Sequence, residues 1–171
     1  MKKLFLMERS EAGKTTLTQA LKGEKLHYHK TQYTNTGDYI IDSPGEYAET
    51  KRCGLGLACY SFEADVLALL MAADEPFGVF EPNCNCYTNR PLIGIITRIN
   101  SPSANIPMVR QWMENSCCER IFEIDSATGE GLDELKAYLD GDPVKLTWQE
   151  AKAKQAYGFN EWDDASKYGL K

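Results

Sequence analysis

At 171 residues the chain is of a size for one domain, taken at roughly 150 residues each. Its 43% apolar and 26% charged residues describe a globular protein with a sizeable core and exclude a disordered chain. With 19 basic and 25 acidic side chains the formal charge is −6, which argues against duplex nucleic acid or an anionic membrane as the main partner.

The amino-terminal run of residues 1–7 starts like a secretion signal, but Glu8 and Arg9 end it before a hydrophobic core can form, so a cytoplasmic setting is expected. In that reducing compartment the six cysteines (Cys53, Cys59, Cys84, Cys86, Cys117 and Cys118) read as free thiols. In chain order, residues 3–7 predict a strand, 14–22 a helix closed by Gly23, and 38–41 a strand running into Asp42-Ser43-Pro44-Gly45. A helix is predicted around 55–62. The uncharged apolar stretch 66–73, far too short to cross a bilayer, contains a buried strand over 66–71. Residues 74–90, with Pro76, Gly78, Pro82 and two Asn-Cys pairs, read as loop. A strand over 92–97, a helix over 107–115, a strand over 120–124 and a helix over 132–139 complete the alternation. Strands alternating with helices imply an α/β domain, a mostly parallel sheet with helices on both faces.

The pattern changes near residue 140, which divides a domain over 1–140 from a tail over 141–171. The tail carries Trp148, Tyr157, Phe159, Trp162 and Tyr168, and Thr147 with Glu150 has the form of a capping box opening a helix. A terminal helix packed on the domain is favoured over a docking tail whose aromatics anchor a partner.

The strongest chemical signal is Glu8-Arg9-Ser10-Glu11-Ala12-Gly13-Lys14-Thr15, between a predicted strand and a predicted helix. It is a phosphate-binding P-loop with its first glycine replaced. Backbone amides from Ser10, Glu11, Ala12, Gly13 and Thr16 would wrap phosphates, Lys14 would reach the outer ones, and the Thr15 hydroxyl would bind magnesium. Asp42 ends the next strand, where it can hold magnesium through water, and the Gly45 amide can meet a terminal phosphate. Thr97-Arg98-Ile99-Asn100 and Ser126-Ala127 end two later strands, where a base would be read. Four such loops at the carboxyl ends of four strands share the ligand-binding edge of an open sheet.

This set resembles the translation-factor-like branch of small GTPases, and more closely the EutP/PduV family of ethanolamine- and propanediol-utilisation proteins. Gly13-Lys14-Thr15-Thr16-Leu17, Lys30-Thr31-Gln32, Asp42-Ser43-Pro44-Gly45-Glu46-Tyr47, Asn89-Arg90-Pro91, Thr97-Arg98-Ile99-Asn100 and Ser126-Ala127 carry the resemblance over residues 1–139. It implies a Ras-like P-loop NTPase fold, GTP or ATP as substrate with Mg2+, a cytoplasmic setting and association with bacterial microcompartment pathways, with a shell protein or pathway enzyme as partner. It also implies a link to phosphoryl transfer to acetate. Thr31, with Thr34 as the alternative, is expected to complete magnesium coordination, and Glu46 stands where related hydrolases position water.

Three positions depart from the pattern. Glu8 brings a negative charge to a phosphate site, which weakens anion binding unless the carboxylate turns away or pairs with Arg9 or Lys14. Arg98 replaces a lysine whose stem lies along the base. Asn100 replaces an aspartate that accepts two hydrogen bonds from guanine; its amide offers one acceptor and one donor pair, so guanine loses a partner while adenine or xanthine is better tolerated. Cys84-Asn85-Cys86 is too isolated for a zinc site, Cys117-Cys118 reads as an exposed pair of free thiols, and His27 and His29 read as a solvated segment. The expected function is a magnesium-dependent nucleoside triphosphate-binding protein with slow hydrolysis. The alternatives are an ATP-dependent acetate kinase-type enzyme and a structural adaptor with a degenerate site.

Overall fold

A computed structural model describes residues 1–9, 11–23, 35–37, 40–42 and 53–141. The chain divides into a compact unit Met1–Gly141 and a second unit Asp142–Lys171, and the second lies outside the described residues, as do Thr147, Glu150 and the tail aromatics. In chain order the first unit carries β1 (Leu4–Glu8), α1 (Lys14–Lys22), β2 (Asn35–Gly37), β3 (Ile40–Asp42), α2 (Cys53–Tyr60), β4 (Val66–Ala72), β5 (Leu92–Thr97), α3 (Ile106–Asn115), β6 (Arg120–Glu123) and α4 (Leu132–Asp140). The sheet order is β2-β3-β1-β4-β5-β6. Five strands run parallel, and β2 alone is antiparallel, with Thr36 opposite Ile41. This is the α/β arrangement of a Ras-like P-loop NTPase fold.

Period-2 alternation along the central strands divides the core. Leu4, Leu6, Val66, Ala68, Leu70, Ile93 and Ile95 face one side, where Leu17 and Leu21 of α1 and Leu135 and Leu139 of α4 close over them. Phe5, Met7, Leu67, Leu69, Met71 and Ile96 face the other, against Leu57 of α2 and Val109 and Met113 of α3. Each fully buried leucine or isoleucine contributes about 1.5–3 kcal/mol, so both layers are held chiefly by burial. Helix ends follow local chemistry. Gly23 closes α1 in the left-handed region and donates its N–H to the Ala20 carbonyl. Asn105 caps α3 by accepting from the Met108 amide at 3.3 Å, and Asp133 and Glu134 sit in the first turn of α4, on the favourable side of its dipole.

Two expectations are corrected. The strand expected over 38–41 is β3 (Ile40–Asp42), which extends to Asp42, with residues 38 and 39 outside the described residues, and it is preceded by β2, whose Asn-Thr-Gly sequence has no apolar pattern to announce it. The Cys117-Cys118 pair is not an exposed loop: both residues are half-buried, Cys118 packs against the core beside α3, and burial pushes its thiol up to about 12. Within 74–90 the chain is irregular apart from a 3-10 turn at Cys84–Tyr87, where Cys84 is buried and donates its thiol to the Glu81 carbonyl.

Candidate functional site

β1 delivers Glu8 to the carboxyl edge of the sheet, and the loop beyond it turns into α1 at Gly13. Gly13 has φ +100°, a left-handed value that favours glycine, and it precedes the helix without a side-chain cap. The first amides of α1 therefore look for an acceptor outside the helix. One acceptor is Glu8. Its Oε2 takes the Lys14 amide hydrogen at 2.9 Å and its Oε1 lies 3.9 Å from the Lys14 ammonium. Both residues are buried, Glu8 at 6% and Lys14 at 2% exposure. The carboxylate that threatened the phosphate site is thus folded into it. Arg9 reaches outward, its guanidinium donating to Glu75 at 2.9 Å and lying over the Phe77 ring.

β5 braces the same loop from beneath. The Thr97 hydroxyl donates to the Ala12 carbonyl at 2.5 Å, and the Gly13 position, which lacks a Cβ, faces that hydroxyl. Arg98, itself at φ +55°, donates to the Glu11 carbonyl and lies 3.6 Å from Asp74. The Arg98 guanidinium thus braces the P-loop from the end of β5. Asn100 donates its amide nitrogen to Glu130 at 2.9 Å, so the nitrogen expected to meet a base is engaged elsewhere.

The β6–α4 connection supplies the opposite wall. Asp125 Oδ1 accepts from the amides of Ala127 at 2.9 Å and Thr128 at 3.0 Å, an Asx turn that shapes the Ser126-Ala127 loop. The Thr128 amide first, then those of Ala127 and the Asn100 side chain, hold the Asp125 carboxyl below its ordinary value. The Ser126 hydroxyl is buried and has no hydrogen-bond partner among the described residues. Between these walls lies a cavity of about 330 Å³ lined by Gly13, Thr16, Thr97, Arg98, Asn100, Ser101, Asp125, Ser126 and Ala127.

Seven of the residues chosen from the sequence therefore share one cavity: Gly13, Thr16, Thr97, Arg98, Asn100, Ser126 and Ala127. Glu11 is exposed at the loop tip, Ala12 is buried under it, and Thr15 is half-buried in the first turn of α1. Asp42 ends β3 in register with Leu6. Ser10, Thr31, Thr34, Gly45 and Glu46 lie outside the described residues. Ser101, Asp125 and Glu130 belong to the site without having been singled out. Asp125 was within reach, since an aspartate followed by Ser-Ala-Thr-Gly is a turn signature.

The two halves fit a nucleotide differently. The cavity, with an unpartnered hydroxyl and several acceptors on its walls, suits the donor-bearing edge of a base. The phosphate half does not fit an outer phosphate as it stands, because a carboxylate already sits on the Lys14 amide and beside its ammonium. Among the described residues no group of three or more histidine, cysteine or acidic side chains is placed to hold a metal, and no helix is long and apolar enough to cross a membrane.

A family model described as ethanolamine utilisation – propanediol utilisation matches residues 1–141. The chain is 36% identical over 141 residues to "Propanediol utilization protein PduV" of Citrobacter freundii, covering 82% of this chain and 94% of that one. It is 30% identical over 160 residues to "Probable acetate kinase EutP" of Salmonella typhimurium, covering 90% and 96%. A translation initiation factor IF-2 of Petrotoga mobilis matches at 30% over 133 residues, 70% of this chain but 17% of that protein.

Proposed function

The chain belongs to the ethanolamine-utilisation and propanediol-utilisation family, and from that premise we propose that it is a P-loop nucleotide-binding protein of those pathways. The observation that carries the reading is the cavity at the carboxyl edge, where the loops after β1, β5 and β6 converge. Its volume lies at the lower end of the roughly 300–1,000 Å³ of small-molecule sites, enough for a base and sugar. Thr97 and Arg98 fix the height of the P-loop above it, and Asp125 fixes the loop opposite.

Because the Asn100 amide nitrogen donates to Glu130 and also faces the Asp125 carboxyl, both of its hydrogens are turned to carboxylates, and the group it leaves for a ligand is its carbonyl oxygen, an acceptor. Acceptors on this wall suit the amino group of adenine as well as the N1 and amino hydrogens of guanine, so base preference is weak. In a state with Glu8 out of the cradle, Lys14 and the Gly13 amide would hold phosphates, and Thr15 and Asp42 would hold magnesium. The ion would neutralise phosphate charge there. Slow hydrolysis and association with a microcompartment shell or pathway enzyme in the cytoplasm are carried by the family likeness. The relatives called probable acetate kinases would add ATP-dependent phosphoryl transfer to acetate.

The test is a calorimetric titration with GTP, ATP and XTP, with and without Mg2+, on the parent and on Glu8→Gly. Saturable binding of at least one nucleotide, competed by the others, supports the reading. Absence of binding by every nucleotide to both proteins refutes it and leaves the adaptor as the function.

A further inference from the structure

We infer, on the nucleotide-binding reading above, that Glu8 is a built-in anion that occupies the place of an outer phosphate, and that it makes this site select against nucleotides carrying phosphates beyond the first. In a P-loop the lysine amide and ammonium are the groups that meet the outer phosphates. Here both meet the Glu8 carboxylate, one oxygen at 2.9 Å from the amide nitrogen and the other at 3.9 Å from the ammonium.

The burial of the pair decides how firmly the position is held. A carboxylate and an ammonium removed from water stabilise each other, and breaking such a buried pair is costly. An incoming phosphate would bring more negative charge to the same two groups that the carboxylate already meets, so two anions compete for one cradle. Glu8 is also not carried on a pliant loop tip. It is the last residue of β1, in register with Leu70 of β4, so its backbone is fixed and release of the cradle requires its side chain to swing out.

The shape of the cavity points the same way. It is bounded on the P-loop side by Gly13 and Thr16, and Lys14 is closed off from it at 2% exposure. Neither Glu8 nor Lys14 lines it, so the groups that Glu8 holds are not offered to a ligand in the cavity. A glycine at position 8 would take this carboxylate off the Lys14 amide and ammonium, so the specificity is set by one side chain.

The experiment compares the parent, Glu8→Gly and the isosteric, uncharged Glu8→Gln, which retains a hydrogen-bond acceptor for the Lys14 amide. Each is titrated without magnesium with GMP, GTP, AMP and ATP, and separately with inorganic pyrophosphate. In the parent the triphosphates are expected to bind no more tightly than the monophosphates, and pyrophosphate is expected not to bind. Removing the charge returns the cradle's charge-assisted contacts to the ligand, which raises the triphosphate-to-monophosphate affinity ratio by about 10- to 100-fold in Glu8→Gly, with a smaller rise in Glu8→Gln. Pyrophosphate binding by Glu8→Gly supports the assignment even when no nucleotide binds, an outcome that sinks only the nucleotide reading. A parent that already prefers triphosphates about tenfold or more, with the ratio unchanged in both variants, overturns it. So does a Glu8→Gly protein that folds, by circular dichroism, yet binds neither pyrophosphate nor triphosphate.

Discussion

Thr97→Val separates hydrogen bonding from packing at the joint between β5 and the P-loop. The two side chains have nearly the same volume, but valine replaces the hydroxyl that donates to the Ala12 carbonyl at 2.5 Å. Thr97 is buried and Ala12 fully so, so no water is at hand to replace the lost donor. A buried acceptor left without its partner costs about 1–3 kcal/mol. With a urea m-value of about 2 kcal/mol/M, the unfolding midpoint should fall by about 0.5–1.5 M at unchanged slope. Thr97→Ser keeps the donor and deletes a methyl, worth about 0.8 kcal/mol, so it should be the milder of the two. Urea titrations followed by circular dichroism check both. If Thr97→Ser proves the more damaging, the methyl and not the hydroxyl holds the joint, and the bracing role assigned to this hydrogen bond is wrong.

Two neighbouring glycines should respond very differently to alanine. A Cβ at Gly131 would stand 2.1 Å from the Glu123 carbonyl oxygen, so Gly131→Ala should cost more than about 3 kcal/mol, whereas Gly129, with nothing within 4 Å, should lose only the roughly 1–2 kcal/mol of a left-handed residue. Equal losses in thermal melts would refute the clash. Iodoacetamide at pH 8 should label exposed Cys59 and Cys86 in the native protein, and Cys118 only after unfolding, as read by mass spectrometry. Because the folded Cys118 thiol holds its proton to about 12 against an ordinary value of 9.0, its contribution to stability is complete below pH 9 and is lost as pH rises toward 12. Cys118→Ala should therefore show a shallower loss of stability over that window, and an unchanged slope would argue that the thiol titrates normally.

The parallel sheet was legible because Val66–Ala72 and Leu92–Thr97 are continuous apolar runs, the mark of strands covered on both faces. The site loops were legible for a related reason: a doubly covered sheet leaves its carboxyl edge open, so motifs at strand ends must converge there. What escaped was set by contacts distant in sequence. Nothing local to Asn100 says that its nitrogen will find Glu130, 30 residues on. Glu8 could be recognised as a charge in the wrong place, and Lys14 as one of its two possible partners. Only the αL turn at Gly13, which brings the Lys14 amide back over the strand end, decides that the carboxylate caps the helix. The three residues of β2 had no signal of their own, since their order comes from pairing with β3.

β4 lies between β1 and β5, and all seven of its residues are buried, with successive side chains from Val66 to Met71 committed alternately to the two core layers. Neither helical layer can lift away without baring one face of this strand, and neither flanking strand can leave without breaking its ladder. The amide hydrogens of β4 should therefore exchange with solvent deuterium only when the whole unit unfolds, and report its global free energy, while the short β2 edge exchanges through local opening. That hierarchy makes the centre of the sheet a fixed ruler against which any ligand-induced slowing at the P-loop can be measured within one molecule.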